Sequence, residues 1–184
     1  MKNVALVGSL FVLLLDSGCL WIVAGTAAAK AAEPGSVHKM FVPVGPAFAA
    51  RDRTDQTLAP AAELEAKGYA RIGFALVTYS DGDRGDAVNL LRDTAEAHGG
   101  EVFQVVRVDE GNGGWFGFGA VWRKAPARAR ACDPIDLAGC TVRAADDKDA
   151  DAALAAYADA CADKYAPACD KLRAYAASSA TATR

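Results

Sequence analysis

The sequence predicts an α+β fold: a small β-α-β-β unit with a mainly antiparallel sheet, followed by a disulfide-stapled helical hairpin. Three observations carry that expectation. Tyr69 to Tyr79 reads as a strand apolar on both faces, and Val88, Leu91 and Ala95 recur at helical spacing before Gly99-Gly100. Two further Val- and aromatic-rich runs flank the turn-like Glu110-Gly111-Asn112-Gly113-Gly114. Behind them, Cys132, Cys140, Cys161 and Cys169 form two pairs of identical spacing in an alanine-rich stretch.

The unit opens with a short helical stretch, Ala61 to Lys67, ended by Gly68. In the strand that follows, Ile72, Phe74 and Leu76 are expected on one face and Gly73, Ala75 and Val77 on the other, so both faces need cover. A polar turn from Ser80 to Asp86 leads into a helix over Ala87 to His98, with Asp86 as its expected cap. Glu101 to Asp109 is the second strand, with Val102, Val106 and Val108 sharing a face, and Phe116 to Arg123 is the third. This order resembles the small α/β domains of bacterial envelope lipoproteins and stress proteins. The resemblance covers about sixty residues and brings no catalytic motif with it.

At 184 residues and a net charge of −3, with basic residues scattered except around Arg123 to Arg130, the chain has no broad basic field for a nucleic-acid backbone. Its beginning has the architecture of a secretory signal: Lys2, an apolar run from Val4 to Leu15, then Asp16-Ser17-Gly18-Cys19. Leu15 to Cys19 resembles the lipobox of bacterial lipoproteins, with Asp16 standing where that pattern has Leu. The resemblance implies lipidation at Cys19, an N-terminal lipid in the membrane, and an outer-membrane location facing the periplasm, because no acidic retention signal follows. Ordinary secretion as a periplasmic or extracellular soluble protein, with cleavage around Ala27 to Ala32, and an uncleaved anchor extended by Leu20 to Ala29, are the competing readings. The resulting division is a signal over 1–19, a tether over 20–60 with at most one edge strand at Met40 to Val44, the α/β unit over 61–124, a linker over 125–131, a cysteine-rich helical segment over 132–176 and a disordered tail over 177–184.

With Cys19 assigned to lipid, the other four cysteines are even in number, which favours two disulfides over a four-thiolate metal site, whose ligands come at closer spacing. Tyr157-x-x-Ala160-Cys161, seven residues, then Cys169-x-x-Leu172 resembles the cysteine-rich Sel-one-like repeat, a bacterial relative of the tetratricopeptide repeat. Ala131-Cys132-Asp133 and Gly139-Cys140 echo it. A cysteine ending one helix and another starting its antiparallel partner can meet across a tight turn, and Pro167 suits the partner's first turn. Repeats of this kind imply protein contacts.

Other motifs carry less. Asp81, Asp83 and Asp86 suggest a calcium loop, but the twelfth place from Asp81 is Arg92 where a bidentate Glu is needed. The glycines at 111, 113, 114, 117 and 119 are followed by a strand rather than the helix a phosphate loop requires. Of the aromatic set Trp115, Phe116, Phe118 and Trp122, the last three are expected as core packing, or else part of the set lines a groove for an apolar ligand or partner. Neither His38 nor His98 has a nucleophile in a recognisable elbow near it, and the aspartates from Asp146 to Asp163 read as a solvated helix start and face. The function expected is a non-catalytic envelope lipoprotein that binds an envelope protein or a cell-wall component, as a sensing or accessory module and without a cofactor. The alternatives are a carrier or enzyme using the Gly- and aromatic-rich hairpin 111–122, and a structural, stress-protective envelope protein.

Overall fold

The computed structural model describes residues 36–111, 114–126 and 129–182, with the side chains of 180–182 excepted, all within the compact unit Ala31–Arg184. Cys19 and the rest of the signal-like segment lie outside the described residues. A five-stranded sheet is formed by β1 (Val37–Pro43), β2 (Asp55–Thr57), β3 (Tyr69–Tyr79), β4 (Val102–Gly111) and β5 (Gly114–Lys124), in the order β1-β3-β5-β4-β2. All pairings are antiparallel except β2 with β4. The helices are α1 (Ala61–Ala66), α2 (Arg84–Ala97), α3 (Leu137–Asp146), α4 (Ala150–Ala162) and α5 (Ala166–Ala182).

The expected tether supplies both edges of the sheet. Pro43 ends β1, which has a single neighbour, as a proline-bearing strand should. The chain then crosses to the far edge, bonding Arg51 N–H to the Glu96 carbonyl and Thr54 Oγ1 to the Gly100 carbonyl, and β2 adds to β4. Three residues of β2 carry no alternation that a sequence pattern could reveal.

Two bulges decide which side chains meet. Between Arg71 and Gly73 the register of β3 against β5 shifts, so Ile72 joins Ala75 and Val77 under α2 while Phe74 and Leu76 face the other way. The expected grouping of Ile72 with Phe74 and Leu76 is thereby corrected. A second shift, between Val105 and Arg107, separates Val108 from Val102 and Val106 in the same manner. Neither bulge has a glycine or proline at the extra residue to announce it.

One face of the sheet is closed by α2, whose Leu91 and Ala95 are fully buried against Ile72, Phe103 and Val121. The approach is close because Gly117 faces it: a Cβ there would stand 2.7 Å from Val77 Cγ2 and 3.2 Å from Leu91 Cδ1. The cap of α2 is Asp83, not Asp86. Its carboxylate accepts from the Gly85 and Asp86 N–H groups, and Asp86 accepts in return from Asp83 N–H, a complete capping box.

The opposite face is closed by the cysteine-rich tail, with α4 and α5 against β1 and β3. Phe74, Phe118, Trp122, Leu154, Cys161 and Leu172 belong to one continuous buried cluster that runs from sheet to helices. Disulfides join Cys132 to Cys140 and Cys161 to Cys169, the second linking the last turn of α4 to the first turn of α5. Residues 177–182, expected as part of a disordered tail, continue α5, where Ser178 and Ser179 hydroxyls donate to the Tyr175 carbonyl. Alanine's helix propensity outweighs the two serines. Among the described residues, no helix is long and apolar enough to cross a membrane.

Candidate functional site

The most elaborate polar arrangement lies where the tail meets the sheet. Arg71 sits within an apolar strand, and the β3 bulge turns its side chain onto the helix-covered face. There its guanidinium carbon lies 4.8 Å from the Trp122 ring centre and 5.1 Å from that of Phe74. Arg71 Nη1 donates to Asp159 Oδ1 at 2.5 Å, and the two side chains are only 8% and 4% exposed. The second oxygen of Asp159 accepts from the backbone N–H groups of Ala131, at 2.6 Å, and Cys132, at 3.3 Å. One carboxylate on α4 therefore holds both a strand and the segment that enters the first disulfide.

Burial pushes the Arg71 pKa below its ordinary value, and the attraction of Asp159 works against that shift. The Nε–H of Arg71 and the indole N–H of Trp122 are buried without a hydrogen-bond acceptor. Arg71 must therefore draw its compensation from Asp159 and the aromatic faces. At the rim, Arg130 bridges Asp163 at 2.8 Å and Glu65 at 3.4 Å, tying the segment before Cys132 to both α4 and α1. Arg71, Asp159, Arg130 and Glu65 border a cavity of about 230 Å³ that also touches Val44 and Tyr69. Its lining has ion pairs and a phenol but no Ser, Cys or His, so it offers charge and shape without a nucleophile–base pair.

A second cavity, of about 240 Å³, opens beside the end of α2 between Phe41, Pro46, Phe48, Ile72 and His98. His98 stacks on Phe41 at 4.0 Å, and desolvation lowers its pKa. This space is mainly apolar, with His98 as the polar side chain in its lining. His38, the other histidine, is on β1, with its Nε2 buried and without a hydrogen-bond partner.

The aromatic set from the sequence does not line an open groove. Phe116, Phe118 and Trp122 are 5%, 0% and 0% exposed, covered by the C-terminal helices, with Phe118 stacked on Phe74 and Arg173 over the Phe116 ring. Alternation sends Trp115 to the other side of β5, where its indole N–H donates to the Gly82 carbonyl at 3.2 Å. All four sulfurs of the tail are engaged in disulfides and at most 5% exposed. Asp159, read as part of a solvated acidic face, is 3% exposed. The signals that could have found this junction were a lone arginine between Ala70 and Ile72 and a lone aspartate between Ala158 and Ala160, each a charge in a stretch otherwise fit for burial.

No family model matches this sequence, and no curated protein matches it. Among solved structures, a crystal structure of the Francisella virulence factor FvfA is similar over 49% of this chain and all of that one, at 10% identity and a TM-score of 0.37. A likeness of that size bears on neither fold nor function.

Proposed function

We propose that the chain is a non-catalytic envelope lipoprotein, anchored through a lipid on Cys19, in which the sheet is a scaffold and the stapled helices form a protein-binding or accessory module. The observation that carries the reading is the pair of buried disulfides, because such crosslinks persist in oxidising compartments and are rare in the cytosol. The signal-like start and its lipobox-like end supply the route and the anchor, with the outer membrane as the destination. The character of the polar junction supports binding over catalysis: its charges are matched to one another and spent on fixing the helices to the sheet.

The test is metabolic labelling with a clickable fatty acid in cells producing wild type or Cys19→Ser, combined with alkylation of free thiols in intact cells. The expected result is label on wild type alone, with Cys132, Cys140, Cys161 and Cys169 protected until reductant is added. Label that persists in Cys19→Ser removes the lipid anchor, and four freely alkylated tail thiols remove the export reading altogether.

A further inference from the structure

The first disulfide loop and the outer side of α3 differ from the rest of the surface. Ile135 is 95% exposed and Val142 64% exposed, while Cys140, Thr141 and Ala144 on the inner side of α3 are buried, with α4 packed against the helix. Ala138 and Val142, four residues apart, share one face of α3, and Ile135 stands in the turn leading into the helix, just before its cap Asp136. Among the described residues, nothing buries Ile135 or Val142. Single exposed apolar side chains are ordinary; one as exposed as Ile135 on a loop closed by a disulfide is less so.

The loop that carries Ile135 is held from every side. The Cys132–Cys140 disulfide closes it, Asp133 Oδ1 accepts from Ile135 N–H at 2.9 Å, and Asp136 N–H donates to the Asp133 carbonyl at 3.0 Å. Asp136 then caps α3 through Gly139 N–H and pairs with Arg143, each at 3.0 Å. Upstream, Asp159 anchors the N–H groups of Ala131 and Cys132. An apolar side chain presented on a backbone fixed in this way loses little further freedom when a partner takes it up.

Charge selects the partner. From Cys132 to Ala152 the chain carries Asp133, Asp136, Asp146, Asp147, Asp149 and Asp151 against Arg143 and Lys148 alone. All eight are exposed. A second copy of the chain would bring like charges together, whereas a basic surface would be drawn in.

The geometry points to the disulfide loop at Ile135 and the adjoining outer side of α3 at Val142 as a docking surface for a protein that offers an apolar pocket rimmed by lysines and arginines. Ile135 is the anchor that fills the pocket, Val142 extends the apolar contact, and the surrounding aspartates set orientation and encounter rate. This rests on the binding-module reading and names the face that performs it.

The test places a benzophenone amino acid at position 135, 142 or 58 in the full-length protein in cells. Leu58, 89% exposed and next to β2 at the far edge of the sheet, serves as the control. The captured protein is then purified and titrated with wild type, Ile135→Asp and Leu58→Asp at low and high salt. Adducts from 135 and 142 with the same protein are expected, with affinity reduced about tenfold or more by Ile135→Asp, hardly altered by Leu58→Asp, and weakened by salt. Unchanged melting of Ile135→Asp would establish that the loss is not unfolding. Equal binding by Ile135→Asp, or an adduct with a second copy of this chain, overturns the inference. An adduct from position 58 alone overturns it while leaving a binding module in place. Absence of adducts at all three positions removes both.

Discussion

The two faces of the sheet are covered by different physical means. Under α2 the fit is made of shape: Gly117 lets Leu91 descend, Asp83 and Asp86 cap the helix, and Ile72, Phe103 and Val121 fill the remaining volume. On the other face the covering helices are rich in alanine, whose side chain fills little space, and the aromatic bulk comes mainly from the sheet. There the attachment is reinforced by two covalent loops and a buried ion pair. Small residues allow helices to approach closely but contribute little apolar area each, so specificity has to come from elsewhere.

Removing the charge partner should produce the largest effect. Asp159→Ala would strand Arg71 under the helices and release the backbone at Ala131 and Cys132, costing about 3–5 kcal/mol in urea unfolding. Arg71→Met combined with Asp159→Leu should recover much of that loss, since an apolar pair leaves no buried charge behind. If the single variant is as stable as wild type, the ion pair does not hold this face together.

Next in size, Cys161→Ser with Cys169→Ser should cost about 2–3 kcal/mol, from the loop constraint lost by the unfolded chain. Hydrogen exchange would sharpen the contrast: α4 and α5 should lose protection while β3 and β5 largely keep theirs. Uniform loss across the molecule would mean that the two faces open together. On the α2 face, Gly117→Ala should cost about 1–3 kcal/mol through overpacking against Val77 and Leu91, measured by the same unfolding curves.

The smallest expected effect is in the pH dependence of the α2 side. Desolvation lowers the pKa of His98 below its ordinary 6.5, so the unfolded chain binds the proton more readily than the folded one. Its contribution is therefore complete above about pH 6.5 and is lost as pH falls through the folded-state value. His98 stands near solvent, so the change should be slight, and His98→Gln should flatten it in melting curves recorded between pH 7.5 and 5.

The face built from shape was the more readable in the sequence. Alternation in β3 and β5, helical spacing in α2 and glycines at the turns are local signals, and each led to an element with nearly the right ends. The cysteine spacing revealed the staple between α4 and α5 for the same reason. What stayed hidden depends on contacts distant in sequence. Arg71 and Asp159 are 88 residues apart, and nothing near either names the other. Nor could the pattern around Ile72 disclose that an extra residue would turn Arg71 toward Asp159, because a bulge is a property of two strands in register. The Ile135 loop was hidden differently: its cysteines were visible, but exposure of the side chain between them depends on which side of α3 the other helices occupy.

Both disulfides close within the span from Cys132 to Cys169, and neither reaches the sheet, which ends at Lys124. A protease cutting the connection between them would thus yield two pieces without a covalent tie. What then holds one piece to the other is the buried core they share and the guanidinium of one lying against the carboxylate of the other.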